Sequence, residues 1–230
     1  MPINIAIDGP SGAGKSSAAK ELAKELNILY LDTGAMYRAA GLAATRAGVD
    51  PLDAEGASRV CAQSDVRVTL AADGQRTWLN GEDVTDVIRT PDASRAASKV
   101  ATVRGVRDAM LALQRDIARE TDVVIDGRDI GTRVLPDAPV KFYITAAPEE
   151  RARRRMLQQR AEGVSQAYEE ILEEIKRRDE RDGTRAVDPL RPAPDAVLID
   201  TTDITLEEVV ERMADICRAV FREGYYGRSE

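Results

Sequence analysis

Residues 9–16 read GPSGAGKS, set between an apolar strand-like run, Ile3–Ile7, and a helix-like run, Ser16–Leu26. A glycine-rich loop in that setting is a phosphate-binding P-loop, which commits the chain to an α/β sheet that binds a nucleoside triphosphate. Gly9, Gly12 and Gly14 let the backbone curl so that its N–H groups converge on an anion. The positive end of the following helix adds to that field. Lys15 supplies a mobile charge for the β- and γ-phosphates, and Ser16 a hydroxyl for Mg²⁺. With Pro10, Ser11, Ala13 and Ser17, these residues form the expected triphosphate-binding segment. The loop alone leaves open ATP or GTP, and leaves open what is done with it.

Composition narrows the rest. A chain of 230 residues, 43% hydrophobic and 32% charged, is long enough for one sizeable core with a subdomain and too apolar for disorder. Its net charge of −7 carries no footprint for polymeric nucleic acid. There is no apolar stretch of membrane-spanning length, and MPINIAIDGP lacks the basic region and long apolar core of a signal peptide, so a cytoplasmic protein without a membrane partner is expected. Cys61 and Cys217 lie far apart in apolar helix-like stretches and read as reduced core cysteines. Histidine is absent, which removes the commonest general base and the commonest metal ligand together.

Strand-like and helix-like segments alternate: 3–8, 15–26, 28–32, 35–47, then 122–126, 140–145, 149–160, 165–181, 196–200 and 206–221. This pattern specifies a parallel sheet flanked by helices. Val123-Val124-Ile125 and Val197-Leu198-Ile199 are the β-branched runs of strands buried on both faces. Thr205 with Glu208 forms a capping box for the last helix. Between 60 and 105 the alternation is interrupted. Val66, Val68 and Leu70 alternate with polar residues, Asp73-Gly74 and Asn80-Gly81 offer turns, and Thr90-Pro91 opens a helix through about Val103, with another from Arg104 to Arg119. This predicts a small antiparallel meander plus helix inserted in the P-loop core, suited to gripping a second substrate.

Four further segments concentrate arginine and carboxylate near strand ends, where open α/β sheets place ligands. In LDTGAMYR, residues 31–38, a helix beginning at Thr33 and Gly34 could hold an anion with Arg38 reaching back. In VVIDGRDIGT, residues 123–132, Asp126 ends a strand where P-loop proteins orient Mg²⁺, and Arg128 and Asp129 follow at the sheet edge. In RARRRM, residues 151–156, Arg151, Arg153, Arg154 and Arg155 share a helix, Arg153 reading as a solvated face. In RRDERDGTR, residues 177–185, Arg178, Arg181, Asp182 and Arg185 crowd a helix end.

These segments in this order, with AASKVA, Val106-Arg107 and RDERDGTRAVDPL, resemble the bacterial cytidylate kinase family over almost the whole chain. The resemblance implies a single kinase domain, 1–230, in which 60–105 binds the monophosphate and 148–185 forms a helical lid carrying Arg151, Arg154 and Arg155. It implies that Arg38, Arg128 and Arg185 hold the acceptor phosphate, with Thr33 touching the nucleotide where the family often has serine. Ser98, Arg107 and Asp129 would read cytosine, and Arg178 and Asp182 the ribose. The set suits cytosine, whose N4 donates while N3 and O2 accept; uracil would set a carbonyl against Asp129. Ser17, where related kinases often have glycine, is a mild departure, and the tail GYYGRSE, expected to be frayed, matches nothing.

The expected reaction is transfer of the γ-phosphoryl of ATP to CMP or dCMP by a monomer, with Mg²⁺ held at Ser16 and Asp126. Lys15, Arg128, Arg154, Arg155 and Arg185 would neutralise charge. The missing histidine fits, because a nucleotide phosphate is already largely dianionic above its second pKa near ~6. Two readings compete. A kinase for UMP or a small alcohol could press Asp32 or Asp129 into service as a base, and a GTP switch would need an Asn-Lys-x-Asp motif that the chain lacks.

Overall fold

The computed structural model describes residues 2–71, 74–161 and 163–226. Five parallel strands form the central sheet: β1 (Asn4–Asp8), β2 (Leu29–Asp32), β6 (Val123–Gly127), β7 (Val140–Thr145) and β8 (Val197–Asp200), in the order β2-β6-β1-β7-β8. The helices are α1 (Lys15–Glu25), α2 (Thr33–Arg46), α3 (Ala54–Gln63), α4 (Pro91–Val100), α5 (Arg104–Glu120), α6 (Pro148–Ala161), α7 (Tyr168–Thr184) and α8 (Leu206–Tyr226). The first two strands leave room for β6 to insert between them. The carboxyl end of β1 therefore lies at the switch point of the sheet, with Asp8 paired in register to Gly127 and Ile7 to Asp126.

The strands β1, β2 and β6 feed two cores by simple alternation, while β7 and β8 feed one. Ile5, Ile7, Val124, Phe142 and Ile144 pack with Leu22 of α1 and Met213 of α8. Ala6, Leu31, Val123 and Ile125 pack on the opposite face with Met36 of α2 and Met110 of α5. That is why β1 and β6 read as continuous apolar runs. The expected burial of 197–199 on both faces does not hold, since β8 is an edge strand and Leu198 is 58% exposed. Both cysteines are free and buried, as expected.

The interrupting segment forms a second, antiparallel sheet, β3 (Val66–Ala71), β4 (Gly74–Leu79) and β5 (Glu82–Asp83). Asn80 at φ 51° and Gly81 at φ 83° make the left-handed pair that a two-residue hairpin needs. The other expected turn, at Asp73-Gly74, includes Asp73, which lies outside the described residues. Leu79, Val84 and Ile88 join the same hydrophobic cluster as Leu31 and Ile125, so the insertion shares the core of the main sheet.

Several boundaries differ from expectation. Helix α3 was anticipated only as a helix-like stretch around Cys61 and had no place in the expected alternation, because AEGASRVCAQ has almost no large apolar side chain to mark a period; Asp53 caps it by accepting from the Gly56 N–H at 3.1 Å. Helix α4 is capped by Thr90 as expected but ends at Val100, short of Val103, and α7 begins at Tyr168, three residues after Ser165. The capping box forms, with the Thr205 N–H donating to Glu208 Oε2 at 2.7 Å. Helix α8 continues past Phe221 to Tyr226, so GYY belongs to the helix, and 227–230 of the tail lie outside the described residues.

Candidate active site

At the end of β1 the chain turns through Gly9 at φ 144°, Gly12 at φ 80° and Gly14 at φ 88°, all left-handed. A side chain on Gly9 would also put its Cβ 1.9 Å from the Ile144 carbonyl oxygen, so β7 itself forbids one. Lys15 is buried beneath the loop and donates from Nζ to the Pro10 carbonyl at 2.7 Å. Burial, reinforced by Arg128 and opposed by Asp126, pushes its pKa down to about 7. A charge so costly to bury is one that an arriving polyphosphate would hold protonated.

Ser16 donates to Asp126 Oδ2 at 2.8 Å, and the Tyr30 hydroxyl donates to Asp126 Oδ1 at 3.0 Å. Burial and the neighbouring Asp32 push the Asp126 pKa up. A hydroxyl and a buried carboxylate side by side at the start of α1 form the hard-oxygen donor set that suits Mg²⁺.

The same cavity, about 190 Å³, is lined by Lys15, Ser16 and the guanidiniums of Arg38, Arg107, Arg128, Arg155, Arg178 and Arg185. Arg38 pairs with Asp32 at 2.7 Å, and Asp32 also caps α2 by accepting from the Ala35 N–H at 3.1 Å. The cap is therefore Asp32, with Thr33 as the first helical residue, its hydroxyl donating to the Asp126 carbonyl at 2.7 Å. Arg128 donates to Asp182 at 2.9 Å. Arg178 is lowered to about 10 by burial and by Arg128, against the pull of Asp182. Buried Nε atoms of Arg38 and Arg178 have no hydrogen-bond partner among the described residues. Guanidiniums crowded this way, with donors to spare, constitute an anion site.

Asp129 follows one residue after Arg128 and meets the guanidinium of Arg107 in a short hydrogen bond and that of Arg185 at 3.4 Å. Arg107 also donates to Asp188 at 3.0 Å and lies 5.8 Å from the centre of the Tyr37 ring. The turn after Asp129 is anchored by Asp8, whose carboxylate accepts from the N–H groups of Ile130 and Gly131, each at 2.7 Å. Burial, opposed by those two bonds, pushes the Asp8 pKa up to about 6. Ser98 accepts from Arg181 at 2.9 Å.

The arginines of α6 divide. Arg155 lines the cavity, whereas Arg154 does not; it bonds Glu150 and Thr201 and stands beside Gly14. Arg151 is buried, paired with Asp179 at 2.6 Å and donating to the Ser11 carbonyl at 3.2 Å, which ties α6 to the P-loop. Arg153 is exposed and pairs with Glu150. Ser17 is exposed on α1, away from the cavity lining. Sequence reasoning assigned no role to Asp8, Tyr30, Tyr37, Gln75, Gln114 or Asp188. Asp8 carried a usable signal, since it ends a strand directly before the P-loop, much as Asp126 lies one residue before the end of β6.

Residues 5–219 match the family model of cytidylate kinase. The chain belongs to the cytidylate kinase family. It is 50% identical over 221 residues to a cytidylate kinase of Pelotomaculum thermopropionicum, covering 96% of this chain and 98% of that one. It is 49% identical over 215 residues to one of Mycolicibacterium paratuberculosis, covering 93% and 94%. A crystal structure of an uncharacterized protein from Eubacterium ventriosum aligns over 95% of this chain and 99% of that one, with a TM-score of 0.51 at 16% identity, and shares the fold. Among the described residues no helix is long and apolar enough to cross a membrane.

Proposed function

We propose that the chain transfers the γ-phosphoryl group of ATP to CMP or dCMP, giving CDP or dCDP. The observation that carries this reading is the junction of two chemistries in one cavity: Lys15 and Ser16 of the P-loop, and the Asp129 carboxylate between Arg107 and Arg185. In this reading residues 9–17 bind ATP, and Arg38, Arg128 and Arg185 hold the acceptor phosphate, with Thr33 beside it. Asp129 accepts the cytosine N4 amino hydrogen, Arg107 and Ser98 complete base recognition, and Arg178 and Asp182 take the ribose. Mg²⁺, held at Ser16 and Asp126, would screen the phosphate charge as it transfers.

No residue need act as a base, since the acceptor phosphate is already dianionic near neutral pH. What the chain contributes is alignment of two phosphates and compensation of their charge by Lys15, Arg128, Arg154, Arg155 and Arg185. Arg154, outside the cavity in the described arrangement, serves this purpose from the ATP side, next to Gly14. The segment 60–105 grips the monophosphate and the helical pair at 148–185 acts as lid, with Arg151 as its tether to the P-loop. In this reading the enzyme works as a monomer on soluble nucleotides in the cytoplasm.

A coupled ADP-release assay over CMP, dCMP, UMP, AMP and a small alcohol tests this. CMP and dCMP should lead. Turnover confined to UMP or to the alcohol would replace the reading.

A further inference from the structure

Besides Nε of Arg38 and Arg178, a neutral side-chain nitrogen at this site is buried with no hydrogen-bond partner among the described residues. Gln114 lies on α5, seven residues after Arg107 and so on the same helix face two turns along. It is 2% exposed, lines the cavity that Arg107 and Asp129 line, and its Nε2 has no hydrogen-bond partner among the described residues. Its neighbour Arg115 donates to the carbonyls of Arg133 and Val134, which packs this stretch of α5 against the turn that follows Asp129. An amide nitrogen with no partner in so buried a place is costly, and a site that must discriminate a polar ligand is where such a cost is retained.

We propose that Gln114 is a base-recognition residue whose side-chain amide donates to an acceptor atom on the edge of the bound pyrimidine. The inference rests on the cytidylate kinase reading and extends it. Asp129 supplies an acceptor for the base and is itself engaged by Arg107 and Arg185, which leaves those two guanidiniums partly committed to the carboxylate. Gln114 brings donors that no neighbour consumes. A neutral amide also presents a hydrogen bond to the base without adding charge to a wall that already holds two arginines and one aspartate.

The residue therefore works against the stability of the empty protein and in favour of the liganded one, and this gives the test its shape. Gln114→Leu, close in volume and without polar atoms, should raise the Tm of the ligand-free protein by roughly 2–4 °C as the unpaired donor disappears. The same variant should raise KM for CMP about fivefold, the loss of one neutral hydrogen bond, with KM for ATP unchanged. Gln114→Met, a second apolar variant with a flexible side chain, should behave alike. If either folded variant keeps wild-type KM for CMP, or if both lose Tm while KM is unaltered, Gln114 serves the fold through a structural water and the inference fails. Failure of the parent reading looks different, because there the wild-type protein itself would not phosphorylate CMP.

Discussion

Replacing Asp129 separates two roles that its position combines. The carboxylate is 5% exposed and lies between Arg107 and Arg185, themselves buried, so Asp129→Ala removes the counter-charge of two guanidiniums and, in the proposed reading, a contact to the base. Breaking a buried pair costs about 3–5 kcal/mol. The lower end applies here, because Arg107 keeps Asp188 at 3.0 Å and Arg185 keeps the Asp188 carbonyl at 2.7 Å. The Tm should fall accordingly. The catalytic loss is a separate quantity: a hydrogen bond to a charged group contributes about 1.5–3 kcal/mol, so kcat/KM for CMP should fall roughly 10- to 150-fold. UMP should lose less, since the substitution also deletes the opposition between carboxylate and the uracil O4 carbonyl. Measuring kcat/KM for both substrates on one preparation of each enzyme cancels the folded fraction and leaves the ratio. The CMP:UMP preference should narrow about tenfold or more. Asp129→Asn, which can turn its amide toward either base, should narrow it as well while sparing more of the Tm. Equal losses for CMP and UMP would refute the assignment, and Asp129 would then act on Arg107 and Arg185 alone.

Three further outcomes follow from the geometry. Lys15→Ala should lower kcat by at least about 100-fold while CMP binding, followed by calorimetry, changes little, because Lys15 sits beneath the P-loop, the proposed ATP site; near-normal kcat would displace the P-loop assignment. Gln75→Ala removes both bonds that β4 makes to the Asp32 main chain, at 2.7 and 3.2 Å, and should cost about 1–2 kcal/mol in urea unfolding. Because Asp32 holds Arg38, KM for CMP should rise with KM for ATP unchanged, and a rise in both would show general loosening instead. Asp8, raised by burial from 3.8 to about 6, binds a proton in the folded state that the unfolded chain lacks between those values. Its contribution to stability is thus full below the unfolded value and is lost as pH rises through about 6. Wild type should gain on Asp8→Asn by on the order of 3 kcal/mol between pH 7.5 and 4, read from urea unfolding at several pH values. A pH-independent difference would mean that Asp8 is not held in this way.

What the sequence determined by itself was everything that rests on local spacing. Gly9–Ser16 between an apolar run and a helix dictates the P-loop, and the β-branched run at 123–125 dictates a strand covered on both faces, whereas the similar run at 197–199 is covered on one face only, because β8 is the edge strand. Asn80-Gly81 dictates its hairpin, and Thr205 with Glu208 its cap. The bounds of helix α3 stayed hidden for the same reason, because small side chains carry no periodic signal. The tertiary structure decided which charges meet. Asp32 and Asp126 are 94 positions apart yet stand opposite each other because β6 inserts between β1 and β2. Ser98, Arg107, Asp129 and Arg185 reach one cavity from α4, α5, the end of β6 and the end of α7. Gln75 and Gln114 gave no sign in the sequence, since glutamine is unremarkable at either spacing. Gln75 matters only because the inserted sheet lies against the edge strand β2, and Gln114 only because α5 covers the cavity where its amide finds no partner. Pattern along a chain records what a residue does for its own helix or strand; the partners it will have across the fold are set by packing.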